Sequence, residues 1–216
     1  MLIFLLILAA VASYLWDGLN VSIILSNLIY HEDIRTKGSG NPGFTNFKRA
    51  FGSKWAWPVF FLDIIKTAVP MVVFGLLFHF NLDAAYGLGW QFGCAWSGFF
   101  CMLGNCFPCW YKFKGGKGFM VCLTTLLFID WRAGLIGFAV MAILLLTLKY
   151  MSLATMVGMA AGFVMLIIFK ASPFWVPVIF CIMVALMILR HHENISRLVK
   201  GKENKTYIFG KGKKKQ

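Results

Sequence analysis

The chain has 216 residues, 60% of them hydrophobic and only 13% charged, with a mean hydropathy of +0.76. A soluble domain of this size carries about twice that share of charge, so the composition excludes one and predicts an all-α integral membrane protein forming a single domain over 1–216. The formal net charge of +13, without any nucleic-acid-binding motif, directs the basic residues to anionic lipid headgroups or anionic substrates and not to nucleic acid.

Seven apolar segments have the length and composition of membrane-spanning helices, at roughly 2 to 27, 55 to 79, 87 to 106, 117 to 130, 132 to 149, 152 to 169 and 174 to 190. The first contains Ala10-Val11-Ala12, which has the small-residue form of a signal-peptide cleavage site. No positive region precedes it and the apolar run continues well past Ala12, broken only by Asp17 and Asn20, so the segment is read as a retained span.

The loop that follows reads GSGNPGFTNFKR over 38 to 49. Gly38, Gly40 and Gly43 permit backbone conformations in which successive N–H groups converge on an anion. Ser39, Asn41, Thr45 and Asn46 add neutral hydrogen-bonding groups, and Arg49 offers a planar fork suited to phosphate. The plain alternative is a flexible polar turn. In the second span, Asp63 and Lys66 each cost roughly 2.5 to 3.5 kcal/mol to bury near a bilayer centre. Their i,i+3 spacing lets them pair, and they would also serve to brace the first loop from below.

The second polar loop, GNCFPCWYKFKGGKG over 104 to 118, sets Lys112, Lys114 and Lys117 among Gly115, Gly116 and Gly118. It is not a nucleotide-binding P-loop, because Gly follows Lys117 where Ser or Thr is required. Lysines alone would anchor a loop to headgroups, but anchoring has no need of glycines. Cys106 and Cys109 have C-x-x-C spacing with no second pair or nearby His, so no metal and no cofactor is expected, and the six cysteines read as packing residues.

The last span runs into RHHENISRLVKGKE over 190 to 203. As a helix it places His191, Asn194 and Leu198 on one face and Arg190, Asn194 and Arg197 on an overlapping one, while Glu193 and Arg197 are spaced for an ion pair. The end of the chain, 204 to 216, is predicted to be a disordered basic tail lying on lipid. With an external N-terminus and seven spans, eighteen of the 21 lysines and arginines fall in cytoplasmic loops or the tail, which the positive-inside rule requires.

Three motifs in this order resemble those of the bacterial acyl-phosphate:glycerol-3-phosphate acyltransferase family. The family's GSGNxGATNxxR is matched from Gly38 to Arg49, with Phe44 in place of Ala. Its GHxFPxxxxFKGGKG is matched by Gly104, Phe107-Pro108 and Phe113 through Gly118, and its RHxENIxRLxxGxE at every fixed position from Arg190 to Glu203. Asn105 stands where the family has His, Thr67 where it has Gly, and the Ser-x-Pro of its first span is missing.

The resemblance implies seven transmembrane helices with the C-terminus cytoplasmic, in the bacterial inner membrane with the active face inward; a monomer is expected, with the oligomeric state left open by the sequence. It implies transfer of a fatty acyl group from acyl phosphate to the sn-1 hydroxyl of glycerol 3-phosphate, giving lysophosphatidic acid and orthophosphate. It also implies that Ser39, Arg49, Lys114 and Lys117 bind phosphate, that Gly40, Gly43, Gly115 and Gly116 supply backbone donors, and that His191, Asn194 and Ser152 complete the site. A mixed anhydride needs no acyl-enzyme, so positioning and charge stabilisation suffice. Whether His191 acts as base, or only orients the nucleophile while a substrate phosphate oxygen takes the proton, stays open at this level.

Two other readings compete. A transporter of a phosphorylated solute would also place charges inside a helix bundle, but the motifs gather on one side and no inverted repeat is visible. A catalytically altered relative is suggested by Asn105, since Asn hydrogen-bonds but does not exchange a proton near neutral pH. The His-x4-Asp pair of soluble-type acyltransferases and the Asp-rich signature of metal-dependent alcohol phosphotransferases are both absent from the sequence.

Overall fold

The computed structural model describes residues 1–170 and 172–207. They form ten α-helices and no strand. These are α1 (Leu2–Asp17), α2 (Val21–Tyr30), α3 (Phe44–Phe51), α4 (Ser53–Tyr86), α5 (Trp90–Cys106), α6 (Phe119–Ile129), α7 (Trp131–Leu148), α8 (Met151–Phe169), α9 (Trp175–Arg190) and α10 (His192–Val199).

Each of the seven apolar segments is helical, but the lengths differ from a simple seven-span bundle. Among the described residues, only α1 with α2, α4, α7 and α8 are long and apolar enough to cross a membrane, and α9 with α10, bent by 57° at His191, makes a fifth candidate. The 11-residue α6 extends about 16 Å at 1.5 Å per residue, well short of a hydrocarbon core. The segment at 55 to 79 is longer than expected, because α4 continues to Tyr86.

The first expected span is two helices, and local chemistry explains the break. Asn20 ends the first run by capping the second: its Oδ1 accepts from Ile23 N at 3.0 Å, and its Nδ2 donates to Pro42 O at 3.3 Å. The carbonyls left over at the end of α1 need donors. Lys66 supplies them from α4, its Nζ donating to Asp17 O at 3.0 Å and Leu19 O at 3.2 Å. Thr67 Oγ1 donates to Asp17 Oδ1 at 2.9 Å, and Trp16 Nε1 returns a bond to Lys66 O at 2.9 Å. Lys66 therefore pairs with Asp63, as its spacing suggested, but equally with Asp17, each at 3.6 Å.

The helix α5 lies centrally, against α1, α4, α6 and α9. Close approach is set by small residues: a Cβ on Gly104 would stand 2.2 Å from Tyr14 O on α1. Likewise α7 and α8 meet through Gly137, Gly158 and Gly162, where a Cβ on Gly158 would lie 2.7 Å from Gly137 O.

At one end of the bundle the two Gly-rich loops, α3 and α10 come together. Arg35 ties the loops to each other, pairing with Asp33 at 2.6 Å while Nη1 donates to Tyr111 O at 3.1 Å. Within the expected tail, Thr206 and Tyr207 are hydrogen-bonded to α3 and to the α7–α8 turn, and 208–216 lie outside the described residues.

Candidate active site

A cavity of about 140 Å³ opens at this loop end. From the first motif Ser39, Asn41, Gly43, Thr45, Asn46 and Arg49 line it. The second motif contributes Asn105, Gly116 and Lys117, and the third His191, Asn194, Arg197 and Glu203. Ser152 and Thr155 of α8 and Asp63 of α4 complete the polar wall, facing the apolar Phe44, Phe60, Phe119, Met120 and Met151.

Chain geometry accounts for this convergence. Asn46, at the start of α3, accepts from Ser39 N at 3.0 Å and donates to Lys37 O at 2.9 Å, which folds the first loop back over the helix. Its amide is thereby committed to the loop rather than presented to a substrate as expected. The second loop is clasped from both sides. Gly116 N donates to Asn105 O at 2.9 Å, and Arg190 donates to Gly115 O and to Gly116 O, each at 3.2 Å. A Cβ on Gly115 would stand 2.1 Å from Asn105 O, so only glycine allows this contact.

Backbone donors in these loops are already engaged. The N–H groups of Gly40 and Gly43 are spent on Lys37 O and Asn41 O, and that of Gly116 on Asn105, so these glycines shape the loops instead of forming a cradle of free donors. Lys114 is exposed and, like Gly40 and Gly115, does not line the cavity. Lys66 and Glu193 lie outside it too, and Glu193 pairs with Arg197 at 3.7 Å.

Side chains inside the cavity form one connected network. Lys117 Nζ donates to Asn194 Oδ1, and Asn194 Nδ2 donates to Glu203 Oε1 at 2.7 Å. Glu203 also accepts from Ser152 Oγ at 2.9 Å and Arg197 Nε at 2.8 Å. Burial would push this carboxyl up, yet the bonds from Arg197, Asn194 and Ser152 hold it below the ordinary range. Sequence reasoning did not place Glu203 or Thr155 in the site; the signal for Glu203 was its fixed place at the end of the third motif.

His191 is buried, and its Nδ1 lies 2.8 Å from Met187 O. A carbonyl only accepts, so Nδ1 carries the proton and Nε2 keeps a lone pair. Burial first, and then the charges of Lys117 and Arg190, push its pKa down to about 4. Burial and Arg197 also lower Lys117. Arg49, Lys117 and Arg197 outnumber Glu203 and Asp63 around the cavity, which leaves its lining net positive and suited to an anion.

Fold and cavity together define an all-α integral membrane protein with a polar, cation-rich pocket at one end of its bundle, bordered by apolar walls. The glycerol-3-phosphate acyltransferase family model matches residues 7–201, and the chain belongs to that family. Among similar relatives, the glycerol-3-phosphate acyltransferase of Finegoldia magna is 33% identical over 93% of this chain and 96% of its own. That of Thermosipho melanesiensis is 37% identical over 84% and 86%, and that of Ureaplasma urealyticum 32% over 94% and 91%. The crystal structure of PlsY (YgiH), an integral membrane glycerol 3-phosphate acyltransferase, in its glycerol 3-phosphate form superposes with a TM-score of 0.81 at 30% identity, covering 95% of this chain and 96% of that one. The lysophosphatidic acid form of the same enzyme gives 0.76 at 31%, covering 96% and 95%.

Proposed function

We propose that this protein transfers a fatty acyl group from an acyl phosphate to the sn-1 hydroxyl of glycerol 3-phosphate, giving lysophosphatidic acid and orthophosphate. The observation that carries the reading is the convergence of Arg49, Lys117, Ser152, His191 and Asn194, from distant parts of the chain, on one cavity with both a cationic and an apolar wall. Phosphate groups suit the cations, and an acyl chain suits the wall of Phe60, Phe119, Met120 and Met151.

In this mechanism the sn-1 oxygen attacks the carbonyl carbon of the mixed anhydride directly. The new C–O ester bond forms as the carbonyl–phosphate C–O bond breaks. With Nδ1 bonded to Met187 O, His191 presents the Nε2 lone pair as an acceptor that orients the hydroxyl. The proton passes to a phosphate oxygen and leaves as part of hydrogen phosphate. Asn194 holds Lys117 towards the developing charge, and Glu203 holds Asn194, Ser152 and Arg197.

The same reading places the protein in the bacterial inner membrane as a seven-span, single-domain monomer, N-terminus outside and active face cytoplasmic. The positive-inside distribution of charge supports it. In that arrangement the basic residues beyond Tyr207 would rest on anionic headgroups.

The test is phosphate release by the protein in lipid, with palmitoyl phosphate and glycerol 3-phosphate, against palmitoyl coenzyme A as control donor. Release that requires both substrates and yields lysophosphatidic acid is the expected result. An inert folded parent refutes the assignment as stated, and activity confined to Asn105→His then identifies an altered relative, since Asn105 forms part of the cavity wall.

A further inference from the structure

The family match ends at residue 201, but the chain continues as a bonded segment across the mouth of the site. Glu203 is fixed inside the cavity by Ser152, Asn194 and Arg197. Three residues further on, Thr206 N donates to Lys149 O, at the α7–α8 turn, at 2.7 Å. Thr206 Oγ1 accepts from Arg49 Nη2 at 3.2 Å. Tyr207 continues the crossing: its carbonyl accepts from Lys48 Nζ at 3.2 Å, and Lys149 Nζ lies 5.3 Å from its ring centroid. Residues 203–207 thus span from the end of α10, over the α7–α8 turn, to α3.

Arg49 lies where the crossing matters. It lines the cavity described above and also a second one formed with Lys48, Lys205, Thr206 and Tyr207. Among the described residues, Thr206 Oγ1 is the hydrogen-bond partner that the structure gives to its guanidinium. A guanidinium has five N–H donors, and one bond to a hydroxyl leaves the rest of the fork available. An arginine already held in its binding rotamer loses less freedom when an anion arrives than one that is unrestrained. Because the hydroxyl is neutral, it orients Arg49 without competing for its charge, as a carboxylate there would.

We infer that Thr206 is a positioning residue and residues 203–207 a strap, holding Arg49 ready to receive the phosphate group of a substrate. The inference rests on the acyltransferase reading for the identity of that substrate. Glycerol 3-phosphate and acyl phosphate share the group, and the measurements separate them.

The full-length protein in lipid nanodiscs is compared with Thr206→Val, which keeps shape and removes the acceptor, and with Thr206→Ser, which keeps the acceptor. Thr206→Val should raise KM for one phosphate-bearing substrate about three- to tenfold with kcat within about twofold, the loss of one modest hydrogen bond. Thr206→Ser should behave as the parent. In an Arg49→Lys background the Thr206→Val change should have almost no further effect, because the two residues act as one unit.

A rise confined to glycerol 3-phosphate assigns Arg49 to that substrate, and one confined to palmitoyl phosphate assigns it to the donor. An unchanged KM for both, or a Thr206→Val effect that persists undiminished without Arg49, overturns the inference. If the parent shows no turnover, the acyltransferase reading fails on its own account. The strap is then decided by the Kd for glycerol 3-phosphate and for orthophosphate, at least one of which Thr206→Val should raise by the same factor.

Discussion

Lys114 and Lys117 are alike in sequence, both basic, both among glycines, both inside one motif. Only Lys117 lines the cavity and reaches Asn194, while Lys114 is exposed. Lys117→Ala should therefore lower kcat/KM by roughly 10- to 150-fold, the worth of one charge-assisted hydrogen bond, whereas Lys114→Ala should change it by less than about threefold; steady-state phosphate release decides between them. His191 gives a second prediction. Its pKa in the folded protein, about 4, lies below the unfolded value of 6.5, so the unfolded chain binds more protons between those limits. Its contribution is complete above about pH 6.5 and is lost as pH falls through about 4, amounting to roughly 3 kcal/mol. Melting curves in detergent from pH 7 to 4 should show that loss, and His191→Gln should flatten it. The chemistry of these residues was legible from their types and motifs. Which lysine faces inward, and that Asn46 is committed to its own loop, was not, because both depend on how the backbone turns.

Among the elements, the junction of α1, α2 and α4 departs most from its sequence pattern. Hydropathy runs through Asp17 and Asn20 as one apolar segment, while capping and a lysine from another helix divide it. Asp63 with Lys66 could be read from i,i+3 spacing; the role of Asp17 could not, since it is nearly fifty residues away in sequence. Replacing Lys66 by Met would leave two buried carboxylates without their cation, and the Asp17 and Leu19 carbonyls at the end of α1 without the lysine donor. That should cost about 3 to 5 kcal/mol in thermal or denaturant unfolding. Adding Asp17→Asn should recover part of the loss; no recovery would mean that the lysine acts chiefly through Asp63 or the carbonyls. The shortness of α6 has a different origin: Gly118, with φ +78°, starts the helix only after the second loop has finished its turn, and Asp130 caps the next helix immediately after Ile129.

For the whole molecule, the proposed orientation makes a direct prediction. Cys109 is exposed at the loop end, whereas Cys94, Cys101, Cys106 and Cys122 are buried and Cys181 lies exposed on α9. A membrane-impermeant maleimide should label Cys109 only after spheroplasts are permeabilised; labelling of intact spheroplasts would reverse the orientation. Composition by itself determined the solvent, because burying so much apolar surface leaves a lipid bilayer as the only suitable medium. Periodicity and apolar length determined that the seven segments are helices, and the motifs determined the chemistry of the site, since residue type fixes charge and hydrogen-bonding capacity. Tertiary structure alone decided that Glu203 joins Ser152, Asn194 and Arg197, that Lys66 reaches the end of α1, and that Thr206, beyond the family match, accepts from Arg49. Those contacts join residues far apart in the chain or across a turn, and their geometry depends on helix packing distances that no local pattern of residues encodes.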